Sequence, residues 1–150
     1  MNEATSSRLV HTAARRDGVL RWFLNSYMPK IVTIRNQNRT ITEPLQIKYC
    51  DTFFTQLRGF TFRAHLSREE GLLLVGKRDS RVDSSIHMLF VPFDLAVIWI
   101  NSALRVVDKV IAKSWRPAYF SKQPARYVLE IHPDRWGDFE FGDRVEFKDA

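Results

Sequence analysis

Six residues in this sequence have side chains and neighbours suited to chemistry: Arg58, Ser85, His87, Asp94, Trp115 and Arg116. Arg58 precedes Gly59 near the end of an aromatic-rich segment. A guanidinium there can aim its fork at an anionic ligand, or pair with a surface carboxylate. Ser85 and His87 are two positions apart, so in an extended chain they share one face while Ile86 and Met88 take the other. The pair makes a small polar patch in an apolar stretch, suited to ligand binding or proton transfer, or to a satisfied core histidine. Asp94 lies between Phe93 and Leu95, where an acid needs a partner. It either caps the turn after Pro92 or pairs with a base such as Arg58 or Arg116. Trp115 and Arg116, with Tyr119 and Phe120 close behind, can form a stacking lip over a pocket. Alternatively, Trp115 plugs the open end of a barrel.

Other chemistries leave no trace. There is no glycine-rich phosphate loop, no GxGxxG, no HExxH and no GxSxG elbow. His11, His65, His87 and His132 are far apart in sequence, and Cys50 is the single cysteine. Neither a disulfide framework nor a Cys-rich zinc site is possible from one thiol. No cofactor and no metal are expected.

These residues must be positioned by short strands. Ile31-Val32-Thr33-Ile34 is β-branched and reads as a strand, followed by a turn at residues 36–39. Residues 40–49 alternate, with Leu45, Ile47 and Tyr49 on one face. Pro44 places that strand at an edge or delays its start. Phe53, Phe54, Leu57 and Phe60 have near-helical spacing after a possible cap at Asp51 or Thr52, which predicts the main helix over residues 53–63. After Gly71 the pattern is β: a run at 72–75, a charged loop at 77–84, and apolar runs at 86–91 and 95–100 split by Pro92. A hairpin partner follows at 104–111, then a proline-containing loop at 114–124, a strand at 127–131, a loop or single helical turn at 133–142, and a last strand at 145–147. The expected class is α+β but mostly β: a compact antiparallel, barrel-like sheet with one main helix.

The chain divides into a basic extension, residues 1–30, and a single β-rich domain, residues 31–150. The net charge is +6. Residues 1–42 hold seven Lys/Arg against two acids, whereas residues 43–150 hold sixteen against fifteen. The basicity therefore belongs mostly to the front of the chain, where the arm suits weak contact with an anionic surface; the body carries no strong nucleic-acid signal. Leu20, Phe23, Leu24 and Tyr27 share a helical face before Pro29, so this segment can dock on the body or meet a partner. No apolar run approaches the roughly 20 residues of a membrane helix, and no signal peptide is evident, so the expected location is the cytoplasm.

The ordered series Asp51-Thr52, Leu57-Arg58-Gly59, Glu70-Gly71-Leu72-Leu73-Leu74, Ser85-Ile86-His87, Val106-Val107, Trp115-Arg116, Tyr127-Val128-Leu129-Glu130 and Gly142-Asp143-Arg144-Val145 resembles the bacterial and archaeal family known as domain of unknown function 192. The resemblance covers about residues 31–147. It implies one compact β-rich domain and no established activity, cofactor or catalytic residue. Many members carry a Met and then an Asp after the His-containing strand; a gapless match from His87 puts Val91 and Ala96 there. Asp94 takes the acid's place only if the register slips by two.

Three functions fit these residues. The first is a small-molecule or anion-binding domain with a polar pocket lined by Arg58, Ser85, His87 and Arg116, supported by Asp94 and Trp115. The second is an enzyme using His87 as general base on an anionic substrate. The third is an adaptor that meets a protein partner or membrane surface through residues 1–30.

Overall fold

The computed structural model describes residues 30–51, 60 and 64–150. The basic arm, and with it the segment 19–28, lies outside the described residues, as does all but Phe60 of the expected main helix. Among the described residues there are seven strands: β1 (Ile31–Asn36), β2 (Gln46–Cys50), β3 (Glu70–Ser80), β4 (Leu95–Ile100), β5 (Val106–Ala112), β6 (Ala125–Ile131) and β7 (Val145–Asp149). One 3₁₀ segment, Pro133–Asp138, stands between β6 and β7, within the stretch expected as a loop or single turn.

The strands form one mixed sheet in the order β5-β4-β6-β3-β2-β1-β7. Five neighbouring pairs are antiparallel, but β2 and β3 run parallel. The purely antiparallel expectation is therefore corrected. A parallel pair requires a crossover connection, and residues 51–69 supply it. Phe60, 2% exposed, anchors this crossover by an edge contact with Phe93, ring centroids 6.0 Å apart. The sheet curls until its edge strands meet at one antiparallel bridge, Arg105 with Arg144. β5 and β7 do not pair along their length, so the sheet is not closed.

β4 explains the architecture. All six of its residues, Leu-Ala-Val-Ile-Trp-Ile, are buried. Strand alternation sends Ala96, Ile98 and Ile100 into the concave side with Leu45, Ile47, Leu73, Leu129 and Ile131. Leu95, Val97 and Trp99 face the other way, beneath Phe60, Leu66, Ile86, Met88 and Val91. A continuous apolar run is the signature of a strand covered on both faces. Among the described residues the cover on the second face is irregular chain, pinned by the Trp99 Nε1 hydrogen donated to the Ser84 carbonyl at 2.8 Å.

Three further expectations change. Residues 77–80, expected in a loop, belong to β3, because Ser80 pairs with Ala125 after an irregularity in the ladder. The main-chain pairing continues where the side chains are charged and exposed. Residues 86–91 form no regular strand: Ile86 bridges Tyr119, and the chain then turns at Phe90 with φ 60° before Pro92. Finally, of the two readings of Pro44 the late start holds, with β2 beginning at Gln46, and the edge position does not.

Gly71 sits where β2, β3 and β6 are tightest. A Cβ there would stand 2.8 Å from Ile47 Cδ1, 2.9 Å from Ile131 Cγ2 and 3.0 Å from the Glu130 carbonyl oxygen. Two of these neighbours are fully buried side chains and the third is backbone, so little can give. Gly71→Ala is expected to destabilise the domain by about 1–3 kcal/mol, the usual cost of overpacking. Urea unfolding of the two proteins checks this; an unchanged midpoint would show that the sheet relaxes freely at this point.

Candidate functional site

The loops after β3 and β5 bring several of the sequence candidates together. Ile86 and Tyr119 exchange main-chain hydrogen bonds, and the Met88 amide donates to the Arg116 carbonyl at 3.0 Å. Ser85, His87, Trp115 and Arg116 thus lie on two zipped loops. Alternation around Ile86 holds: Ile86 and Met88 are buried, Ser85 is half-buried and His87 is exposed. The Ser85 hydroxyl is occupied, donating to the Val82 carbonyl at 2.7 Å. Trp115 is 56% exposed and packs edge-on against Phe90, ring centroids 5.7 Å apart. A ring this exposed is not buried as a plug. Both rings sit on left-handed backbone, φ 60° at Phe90 and 63° at Trp115, a conformation bulky residues rarely adopt. Arg58 lies outside the described residues.

Asp94 is a structural cap for the neighbouring loop. Its carboxylate accepts from the Ser114 amide at 2.9 Å and from Lys113 Nζ at 2.8 Å. The Lys113 hydrogen bond, followed by the Ser114 amide, holds its pKa below the ordinary aspartate value. Among the described residues the base it pairs with is Lys113 rather than Arg116; Lys113, on the far side of the β4–β5 hairpin, is reached because Leu95 pairs with Ala112. Val91 and Ala96, the positions that the resemblance aligned with a Met and an Asp, are both buried in the core.

Asp94 also lines a cleft of about 210 Å³ with Ala64, His65, Leu66, Phe93, His132 and Pro133. His132 is the first residue after β6. Its Nδ1 accepts from the Asp134 amide at 3.2 Å and caps the 3₁₀ segment. In the neutral ring this bond leaves the hydrogen on Nε2, as a donor. Two residues back on the same strand face is Glu130, 7% exposed and paired in register with Leu72 and Val97. Both partners are core residues, and burial among them raises the Glu130 pKa to about 7. No hydrogen bond or ion pair joins its carboxyl to another described residue.

Other buried charges are fully used. Arg135, 3% exposed on its side chain, donates to Asp138 Oδ2, the Arg68 carbonyl and the Glu43 carbonyl at 2.5, 2.9 and 2.7 Å. Asp143 accepts from Asn36, Arg39 and the Glu140 amide. Lys109 Nζ lies 4.1 Å from the Trp136 ring centroid and donates to the Phe139 carbonyl and Glu140. These groups tie the 3₁₀ segment across the opening between the sheet edges. Reading the sequence for sites passed over Glu130 and His132. Glu130 carried the same signal that singled out Asp94, an acid inside an apolar run.

The family model described as Uncharacterized ACR, DUF192, matches residues 32–147. The chain belongs to this family. Similar proteins include UPF0127 proteins of Thermococcus gammatolerans, 36% identical over 67% of this chain and 65% of its own length, and of Thermococcus kodakarensis, 38% identical over 57% and 52%. The chain thus spans between half and two thirds of these two relatives. Against the protein of Pyrococcus horikoshii the match is 28% identical and covers 97% of that relative. Among solved structures, a Novosphingobium aromaticivorans protein of unknown function superposes with TM-score 0.64, 24% identity, and 77% and 83% of the two chains covered. A Sinorhizobium meliloti protein described as a putative transcription regulator gives 0.67 at 19% identity, over 81% and 95%. At these identities the likeness is one of fold. No helix among the described residues is long and apolar enough to cross a membrane.

Proposed function

We propose that this chain is a cytoplasmic small-molecule-binding domain whose curled, barrel-like sheet forms one wall of the cleft at Leu66, Phe93 and His132. One observation carries this reading. A buried carboxyl with no partner among the described residues, Glu130, lies on the same strand face as an imidazole, His132, that lines the cleft and whose ring accepts a main-chain hydrogen bond. Buried polar groups are otherwise nearly always paired, so an exception calls for a ligand group or water. Ligand sites of drug-like size run to about 300–1,000 Å³, so this cleft suits a smaller molecule. The Asp94 carboxyl in its lining disfavours a simple anion.

Within this reading His132 takes precedence over His87 as the imidazole to test. His87 is exposed, and Asp94 is committed to Lys113 and Ser114. A thermal-shift screen of metabolites at pH 7, on wild type and on His132→Ala, His87→Ala and Arg58→Ala, tests the assignment. The expected result is a ligand whose stabilisation disappears in His132→Ala; a ligand held at about 100 times its dissociation constant adds roughly 2.7 kcal/mol. A ligand lost only in His87→Ala or Arg58→Ala would move the site to the zipped loops or the crossover. A ligand unaffected by all three substitutions would refute a site at any of these places.

A further inference from the structure

We infer that the opening between β1 and the β1–β2 connection binds a phosphate monoester, with Arg35 and Arg39 on its phosphate and its organic part against the apolar lining. This is a second site: its lining shares no residue with the His132 cleft, so either site can fail without the other. The opening has a local cause. β1 pairs with β2 only from Ile31 to Thr33, although its pairing with β7 continues to Asn36. Two steps further along the β1–β2 register Arg35 would face Pro44, which has no N–H to add to the ladder. The connection leaves β1 there, and a cleft of about 440 Å³ lies between them. That volume falls in the range of about 300–1,000 Å³ usual for small-molecule sites. Its lining combines Thr33, Arg35, Arg39 and Thr40 with the apolar Ile41, Pro44 and Leu45.

Both guanidiniums have donors to spare. Arg35 is exposed and makes no hydrogen bond or ion pair with another described residue. Its cross-strand neighbour Glu146 is taken by Lys148 at 3.5 Å. Arg39 is held through Nε alone, which donates to Asp143 Oδ2 at 2.8 Å. Its two terminal nitrogens have no partner among the described residues. Asp143 is itself fixed, accepting from Asn36 Nδ2 at 2.7 Å and the Glu140 amide at 2.8 Å. The turn leading to Arg39 is pinned as well. The Asn38 amide donates to Asn36 Oδ1 at 2.9 Å, and Asn38 Oδ1 accepts from the Arg144 amide at 2.8 Å. The acid of the connection, Glu43, lies 3.8 Å from both Arg68 and Arg135, bases outside this lining. Donors held in place before a ligand arrives lose less freedom on binding it. The chemistry favours phosphate over carboxylate. A guanidinium fork meets two oxygens of one anion side by side, so a carboxylate satisfies one fork only. The three terminal oxygens of a monoester can serve two forks, and its double negative charge matches two arginines. The apolar residues then give the organic part a contact that a free phosphate ion cannot use.

The test is calorimetric titration of the full chain with phenyl phosphate, inorganic phosphate and benzoate at pH 8, where a monoester carries two negative charges. Wild type is compared with Arg35→Gln, Arg39→Lys and Arg144→Gln. Arg144 is exposed and outside the lining, so its substitution removes the same charge as Arg35→Gln without touching the cleft. Phenyl phosphate is expected to bind wild type more tightly than the other two probes. Arg35→Gln and Arg39→Lys should each weaken it about tenfold or more, the loss expected of a charge-assisted hydrogen bond. Arg144→Gln should leave it nearly unchanged. An equal loss in Arg144→Gln would mean a diffuse basic surface and overturn the site. Benzoate binding as tightly as phenyl phosphate would overturn the phosphate assignment, and inorganic phosphate doing so would overturn the role of the apolar lining. Absence of phenyl phosphate binding at millimolar concentration rejects the inference. Should Arg39→Lys not fold, Arg35→Gln decides alone, and an unchanged affinity there rejects it.

Discussion

Glu130→Gln is expected to stabilise this protein at pH 8 by about 3 kcal/mol and to change little at pH 4.5. The reason is linkage. Burial raises the Glu130 pKa from 4.5 to about 7, so between these values the folded chain holds a proton that the unfolded chain has released. Stability therefore falls as pH rises through this window. The cost is absent well below pH 4.5 and fully present above pH 7. A shift of about 2.5 units at about 1.36 kcal/mol per unit gives the magnitude. Glutamine keeps the shape and removes the charge, so it mimics the protonated acid. For a domain of this size each kcal/mol moves the midpoint by several degrees. Melting curves of both proteins between pH 4.5 and 8 test this: the wild-type midpoint should fall relative to the variant as pH rises. Parallel curves, or a variant less stable at pH 8, would mean that Glu130 is ionised and paired in the fold.

The other large effect belongs to Arg135. Its guanidinium reaches Asp138 and the carbonyls of Arg68 and Glu43, which joins the 3₁₀ segment to the β1–β2 connection and to the start of β3. Truncation removes three bonds and leaves two carbonyls and a half-buried carboxylate to be resolvated. Arg135→Ala is expected to cost about 3–5 kcal/mol, the range found when one member of a buried ionic group is deleted. Arg135→Lys should recover only part of this, because an ammonium cannot span three diverging acceptors as a planar fork does. Guanidinium chloride unfolding measures both. A cost for Arg135→Ala under about 1 kcal/mol would show that the three acceptors find water without loss.

The positions of the strands followed from local pattern. The β-branched start at Ile31, the buried run Leu95 to Ile100, its hairpin partner and the segment around Tyr127 to Ile131 all became strands, since alternation and apolar runs report burial directly. Alternation also set Ile86 and Met88 inward and left Ser85 and His87 outside. Composition, too, was sufficient to exclude disulfides. What the sequence did not determine is how these strands neighbour one another. The parallel β2–β3 pair, and β6 lying between β3 and β4, depend on contacts between residues far apart in the chain, which no local window contains.

The same limit governs the site. Asp94 was visible as an acid among apolar residues, but its partner Lys113 lies across a hairpin and only the β4–β5 register brings it near. Glu130 sits in a similar run, yet its raised pKa comes from burial beside Leu72 and Val97 on two other strands. Periodicity tells which side of a strand a residue faces, because that is a property of the backbone repeat. Whether that side meets a base, a cleft or hydrocarbon is set by long-range packing, and here the packing placed the polar exception beneath His132 rather than beside His87.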